Sequence, residues 1–159
     1  MADINFYCVQ KDYIDYLRKT ESKVPNADYH EQGMHEKLYC GALISVGSHT
    51  YFAPLSHQTS NPQSSFLIKH KDGEAFASLR LKFMFPVSSS LISEKKISDE
   101  HDEKYQGLLS EELTYCRQHS SKIRKLAQKV YDNRINRKQN FQNFCCDFEA
   151  LEKASDLYD

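Results

Sequence analysis

Seven residues of the C-terminal half, Leu109, Leu113, Cys116, Ser120, Ile123, Ala127 and Val130, recur at steps of four and three. Residues so spaced share one face of an α-helix, and this stripe runs for about six turns. Ser120 and Ser121 interrupt it where side-chain hydroxyls compete for backbone hydrogen bonds, a signal for two helices rather than one. The first half shows no such period. Its apolar runs are short and alternate with turn signals, as strands do. A striped helical segment following a set of strands defines an α+β chain, a twisted antiparallel sheet carrying helices, and not alternating βαβ units.

Among the strands, Asn5–Val9 is a short apolar and aromatic run. Asp12 stands where a helix N-cap belongs, ahead of Tyr13, Ile14, Tyr16 and Leu17 on one helical face, and that helix ends before Pro25. Leu38–Val46 and Thr50–Leu55 flank Gly47-Ser48-His49, and Phe66–Lys69 and Ala75–Leu81 flank Lys71-Asp72-Gly73. Both read as tight hairpins. Lys82–Val87 continues as a buried or edge segment that stops near Pro86. Two polar loops separate these runs, Val24 to Lys37 and Ser56 to Ser65. The first is long for a compact domain, which marks it as a functional loop. Ser88-Ser89-Ser90 links the halves, and Phe148, Leu151, Glu152 and Leu157 suggest a closing helix.

A chain of 159 residues is expected to form one domain spanning 1–159. No apolar stretch approaches the roughly 20 residues of a membrane-spanning helix. The N-terminus, Met1 to Asn5, has neither the basic start nor the apolar run of an export signal, so the expected location is the cytoplasm. Five cysteines are an odd number without C-x-x-C spacing, which favours reduced, mostly buried thiols over a disulfide framework or structural zinc. Net charge is −1, but it is segregated. Between Leu113 and Asn140 eight Lys or Arg residues face one acid, Asp132, while the flanks are acidic. Such a stretch can track phosphates on a neutral molecule; it can equally be a solvated helix face.

Five blocks of the first half, Tyr13-Ile14-Asp15-Tyr16-Leu17, Lys23-Val24-Pro25-Asn26, Lys37 with an apolar strand containing Gly41, Tyr51-Phe52-Ala53-Pro54-Leu55-Ser56 and Leu81 to Val87, stand in the order and near spacing of one family. Glu112-Leu113, His119-Ser120-Ser121-Lys122-Ile123 and Asn143 to Leu151 extend the pattern over nearly the whole chain. The sequence resembles the ToxN/AbiQ toxins of type III toxin–antitoxin systems, and among them the CptN-like members. The resemblance implies a strongly bent, SH3-like antiparallel barrel with surrounding helices, related to MazF and CcdB. It implies a sequence-preferring endoribonuclease that cleaves RNA without metal or cofactor, leaving a 2′,3′-cyclic phosphate. It further implies a folded, pseudoknot-like repeat RNA as antitoxin, which the toxin itself cuts from a precursor, cellular or phage RNA as substrate, a closed toxin–RNA assembly, and a role in phage defence.

Cleavage through RNA's own 2′-hydroxyl requires a base for that proton, a donor for the phosphorane's extra charge and an acid for the leaving 5′-oxygen. The family's catalytic lysine falls on Lys37, and its active-site tyrosines on Tyr29 and Tyr13. Tyrosine can donate to a phosphate oxygen or stack on a base, although any one of ten tyrosines can as well be packing. The family has Ser or Thr pairs after the strand ending at Leu55, often followed by Pro and lysine. Here the chain reads Ser56-His57-Gln58-Thr59. Ser56 keeps a hydroxyl for the phosphate, Thr59 cannot replace a positive charge, and His57 introduces a group that titrates near neutral pH. The expected catalytic set is therefore Lys37 stabilising the phosphorane, His57 transferring protons, and Ser56 and Tyr29 contacting the phosphate. His30, His35, His49 and His70 compete for the histidine's role.

Arg117, Lys122, Lys125 and Lys129 are the expected grips on RNA from the helical half, joined by Tyr13. Arg80 and Lys82, at alternate positions of an expected strand, would line a groove. Two other classes fit the same frame, a non-catalytic RNA-binding SH3-like module and a CcdB-like toxin directed at gyrase. Cysteine protease chemistry is remote, since no local signature joins a Cys to a His.

Overall fold

The computed structural model describes residues 3–26, 36–59, 65–136 and 144–158. Eight strands, β1 (Asn5–Val9), β2 (Tyr39–Gly41), β3 (Ser45–Val46), β4 (His49–Ser56), β5 (Phe66–Lys69), β6 (Ala75–Leu79), β7 (Phe85–Pro86) and β8 (Ile92–Glu94), form an open antiparallel sheet in the order β5-β6-β4-β2-β1-β8. Four α-helices are found among the described residues: α1 (Lys11–Thr20), α2 (Glu103–Gln118), α3 (Ser120–Ile135) and α4 (Phe148–Leu157). β4 organises the sheet. Its first half pairs with β3 and β7 and its second half with β2 and β6, so Tyr51 to Leu55 are buried on both faces. Only a run without charge or interruption, Thr50 to Leu55, can supply such a strand.

Both expected hairpins form. Gly47 adopts a positive φ of 59° between Val46 and His49, which pair across the turn, and Gly73 takes φ 89° between β5 and β6. The helical stripe also packs as its period requires: Leu109, Cys116, Ile123 and Ala127 are fully covered, and the helix breaks at His119, one residue before the two serines. All five cysteines are free thiols and four are buried.

Three expectations require correction. Gln10, not Asp12, precedes α1; Asp12 lies in the first turn, where a carboxylate meets the positive end of the helix dipole. The segment after Ser88 is a single helical turn followed by β8, which pairs with β1, and not a linker leading directly into helix. Three residues with one inward position carry too little alternation to be read as a strand. The third concerns Tyr13. Its ring is fully buried against Tyr158 and Phe85, and its hydroxyl donates to the Pro86 carbonyl oxygen at 2.5 Å. Tyr13 is a core residue, with no surface to offer RNA.

Gly41 in β2 has a packing requirement. A Cβ there would lie 2.7 Å from Phe52 Cγ and closer still to two other ring atoms. The Phe52 ring cannot easily give way, because it is itself packed edge-on against Tyr7 at 5.2 Å between centroids. Gly41→Ala should therefore destabilise the fold by about 1–3 kcal/mol through overpacking, read as a lowered Tm. An unchanged Tm would show that β2 can move away from β4.

Candidate active site

The register of three neighbouring strands brings distant residues to one end of the sheet. Tyr39 pairs with Pro54, and the Leu55 amide donates to the Leu38 carbonyl, so Lys37, one step further, stands across from Ser56. On the other flank Ser56 pairs with Ser78, and the Arg80 amide donates to the Pro54 carbonyl at 3.0 Å. Lys37, Ser56, His57 and Arg80 consequently line one cavity of about 260 Å³, together with Glu36, Gln58, Phe83 and Tyr105. Pro54 lies inside β4, where its carbonyl accepts from the Arg80 amide.

The turn carrying Ser56 and His57 is pinned from beneath. The Ser78 hydroxyl donates to the Gln58 carbonyl at 2.6 Å, and Arg80 Nη1 donates to Gln58 Oε1 at 3.1 Å. Ser56 Oγ accepts the Gln58 amide at 3.1 Å, which leaves the serine's own proton available to another acceptor. Burial lowers the Arg80 pKa, but a guanidinium stays charged at any working pH. The cavity thus presents two cations, a hydroxyl and an imidazole, half-sunk at a strand end.

His57 has a partner that no sequence motif points to. Its Nε2 lies 3.3 Å from Oε1 of Glu112, whose side chain is completely buried. Burial raises the Glu112 pKa above the ordinary carboxylate range, and His57 pulls it part of the way back. A weaker signal does exist in the sequence, because Glu112 follows Leu109 by three and precedes Cys116 by four, a charge on the face the apolar stripe buries.

The other expected site residues distribute differently. Lys82 lies near Arg80, both cations standing over the Phe83 ring, but it does not line the cavity. β6 ends at Leu79 and the chain turns into a short 3₁₀ helix at Leu81–Phe83, so strand alternation stops applying. The Lys82 side chain is mostly covered, with Nζ 5.0 Å from the Phe83 ring centroid and 5.6 Å from that of Phe144, and burial lowers its pKa. Lys122, Lys125 and Lys129 are exposed along α3, away from the cavity. Arg117 is exposed, but its guanidinium donates to the Ile4 carbonyl at 2.9 Å and to Asn5 Oδ1, tying α2 to β1. Tyr29, with His30, His35, Arg137 and Lys138, lies outside the described residues. Of the competing histidines that are described, His49 pairs with Asp156 and His70 with Glu111, and neither lines this cavity.

A family profile described as the toxin ToxN of type III toxin–antitoxin systems matches residues 5–156. The chain belongs to this family. Endoribonuclease ToxN of Bacillus thuringiensis subsp. kurstaki is 28% identical over 164 residues, covering 96% of this chain and 83% of the relative. Endoribonuclease AbiQ of Lactococcus lactis subsp. lactis is 27% identical, covering 98% and 89%. A toxin solved in work on selective toxin inhibition by a non-coding RNA pseudoknot superposes with a TM-score of 0.87 at 25% identity, over 98% of this chain and 97% of that one.

Proposed function

We propose that this chain is a metal-independent endoribonuclease toxin, formed by one domain over 1–159, that cleaves RNA by attack of the 2′-hydroxyl on the adjacent phosphate. The observation that carries this is the convergence of Lys37, Ser56, His57 and Arg80 on one cavity from three strand ends. Each group has a task there. Lys37 and Arg80 meet the phosphate as it gains charge, Ser56 donates its hydroxyl proton to a phosphate oxygen, and His57 transfers protons to or from the reacting oxygens. Arg80 thus moves from a groove-lining grip to the phosphate itself. Relatives named as endoribonucleases, of which this chain covers 83% and 89%, support RNA cleavage.

The antitoxin on this account is a folded, pseudoknot-like RNA that the toxin processes and that then occupies the cavity within a closed toxin–RNA assembly, in the cytoplasm, in defence against phage. The inhibitory pseudoknot of the related toxin system supports an RNA partner. We read the open sheet's finer form as strongly bent and SH3-like; the exchange of partners along β4, from β3 and β7 to β2 and β6, supports such a bend. The exposed row Lys122, Lys125 and Lys129 grips antitoxin phosphates. Changing all three to Gln should weaken antitoxin binding and flatten its dependence on salt, by roughly 0.7 to 0.9 in the log–log slope for each phosphate no longer neutralised. An unaltered slope would remove α3 from the RNA interface.

The reaction itself is tested with a short RNA and the same RNA carrying a single 2′-deoxynucleotide at the cleaved linkage. Cleavage of the first and survival of the second supports 2′-hydroxyl attack. Binding without cleavage of either supports an RNA-binding module, and inhibition of gyrase supercoiling with RNA left intact supports the CcdB-like class.

A further inference from the structure

Glu112 is a buried carboxylate that the proposed reaction does not yet use. It lies on the covered face of α2 between Leu109 and Cys116, with zero exposure. One oxygen, Oε1, faces His57 Nε2 at 3.3 Å; the other, Oε2, is buried without a hydrogen-bond partner among the described residues. Removing a carboxylate from water so completely costs several kcal/mol unless its partners repay it, and a single imidazole repays only part. A helix that packed only for stability would carry an apolar residue here, as it does at Leu109 and Cys116. The carboxylate's geometry points it at the histidine on the cavity wall.

We propose that Glu112 is the positioning residue of His57: its carboxylate accepts a hydrogen bond from Nε2–H and so fixes the ring's tautomer and orientation for proton exchange with RNA. This rests on the reading of His57 as the proton-transfer residue. The chemistry is familiar from other sites, where a carboxylate behind an imidazole selects the protonated nitrogen and stabilises the imidazolium that forms in the reaction. Because the carboxylate is desolvated, it acts on the ring more strongly than a surface acid would. Other charged or titratable groups around the pair are Glu36 and Lys37 before β2, Arg80 after β6, and Glu111 and Tyr105 on α2. The two cations oppose the protonated imidazole, Glu111 pairs with His70 and Glu36 with Lys95, while Glu112 Oε1 lies against the ring at 3.3 Å.

Single-turnover cleavage of a short RNA as a function of pH, with the parent, Glu112→Gln, His57→Ala and the double variant, tests this. Glu112→Gln keeps the side chain's shape and removes its charge. It should lower the rate by about 10- to 100-fold and move the histidine limb of the profile to lower pH by about one unit, since losing a nearby anion lowers an imidazole pKa. RNA affinity should be unchanged, measured with the uncleavable 2′-deoxy RNA. In the His57→Ala background the same change should cost nothing further. If His57→Ala cleaves like the parent, the reading of His57 falls. If His57→Ala is impaired while Glu112→Gln keeps both rate and profile, the proposal for Glu112 alone falls. Should Glu112→Gln fold poorly, ¹⁵N chemical shifts of the His57 ring in the parent decide. A ring protonated at Nε2 supports the pairing, and a neutral ring protonated only at Nδ1 overturns it.

Discussion

Lys37→Ala should lower the single-turnover rate of RNA cleavage by about 10²–10³-fold, the cost typical of deleting one preorganised donor to developing negative charge. Lys37 stands opposite Ser56 at the end of the β2–β4 ladder and lines the same cavity, which on the proposed reaction puts both groups on one phosphate. The residue is half-buried and stands outside the hydrophobic core, and its loss should leave Tm nearly unchanged. Binding of the uncleavable RNA should weaken far less than cleavage does, because the lysine's advantage grows as the phosphate gains charge. A variant whose binding and rate fell in equal proportion would make Lys37 a simple phosphate grip.

His57→Ala should cost about 10²–10⁴ in rate and erase the limb of the pH profile near neutrality. It should also change how stability depends on pH. Glu112 is buried and its pKa is raised, chiefly by desolvation, with His57 the main influence lowering it. Without the imidazole the carboxyl stays protonated to higher pH. A carboxyl whose pKa is higher folded than unfolded favours the folded state in acid and disfavours it as pH rises through the folded value. The variant should therefore lie close to the parent in stability at acid pH and fall behind it toward neutral pH. The deficit is about 1–3 kcal/mol, less than for a fully buried pair because the histidine is one-third exposed. Thermal melts at the two pH extremes measure it; parallel losses at both would mean that the pair is not what holds Glu112.

What the sequence disclosed, and what it hid, divides along the range of the interactions. The hairpins at Gly47 and Gly73 and the stripe from Leu109 to Val130 were legible because each is local, written in turn residues or in a period. Lys37, Ser56 and His57 were legible as loop residues at strand ends, and the register of β2 with β4 brings them together. Tyr13 misled because a tyrosine's polar tip permits a surface role, whereas here the hydroxyl is spent on the Pro86 carbonyl in the core. Lys82 misled because the chain leaves the strand period at Arg80. Glu112 was hidden in plain view: one acid on a buried face gains meaning only when a residue 55 positions earlier is known to stand across from it.

RNA cleavage through the 2′-hydroxyl by the groups around one cavity is tested most directly by the chemistry of the cut ends. The purified protein is incubated with a short RNA in excess EDTA and the fragments are weighed by mass spectrometry. A 2′,3′-cyclic phosphate on one fragment and a 5′-hydroxyl on the other is the predicted result. Fragments ending in 3′-hydroxyl and 5′-phosphate, or RNA that survives intact until a divalent metal is restored, would contradict it.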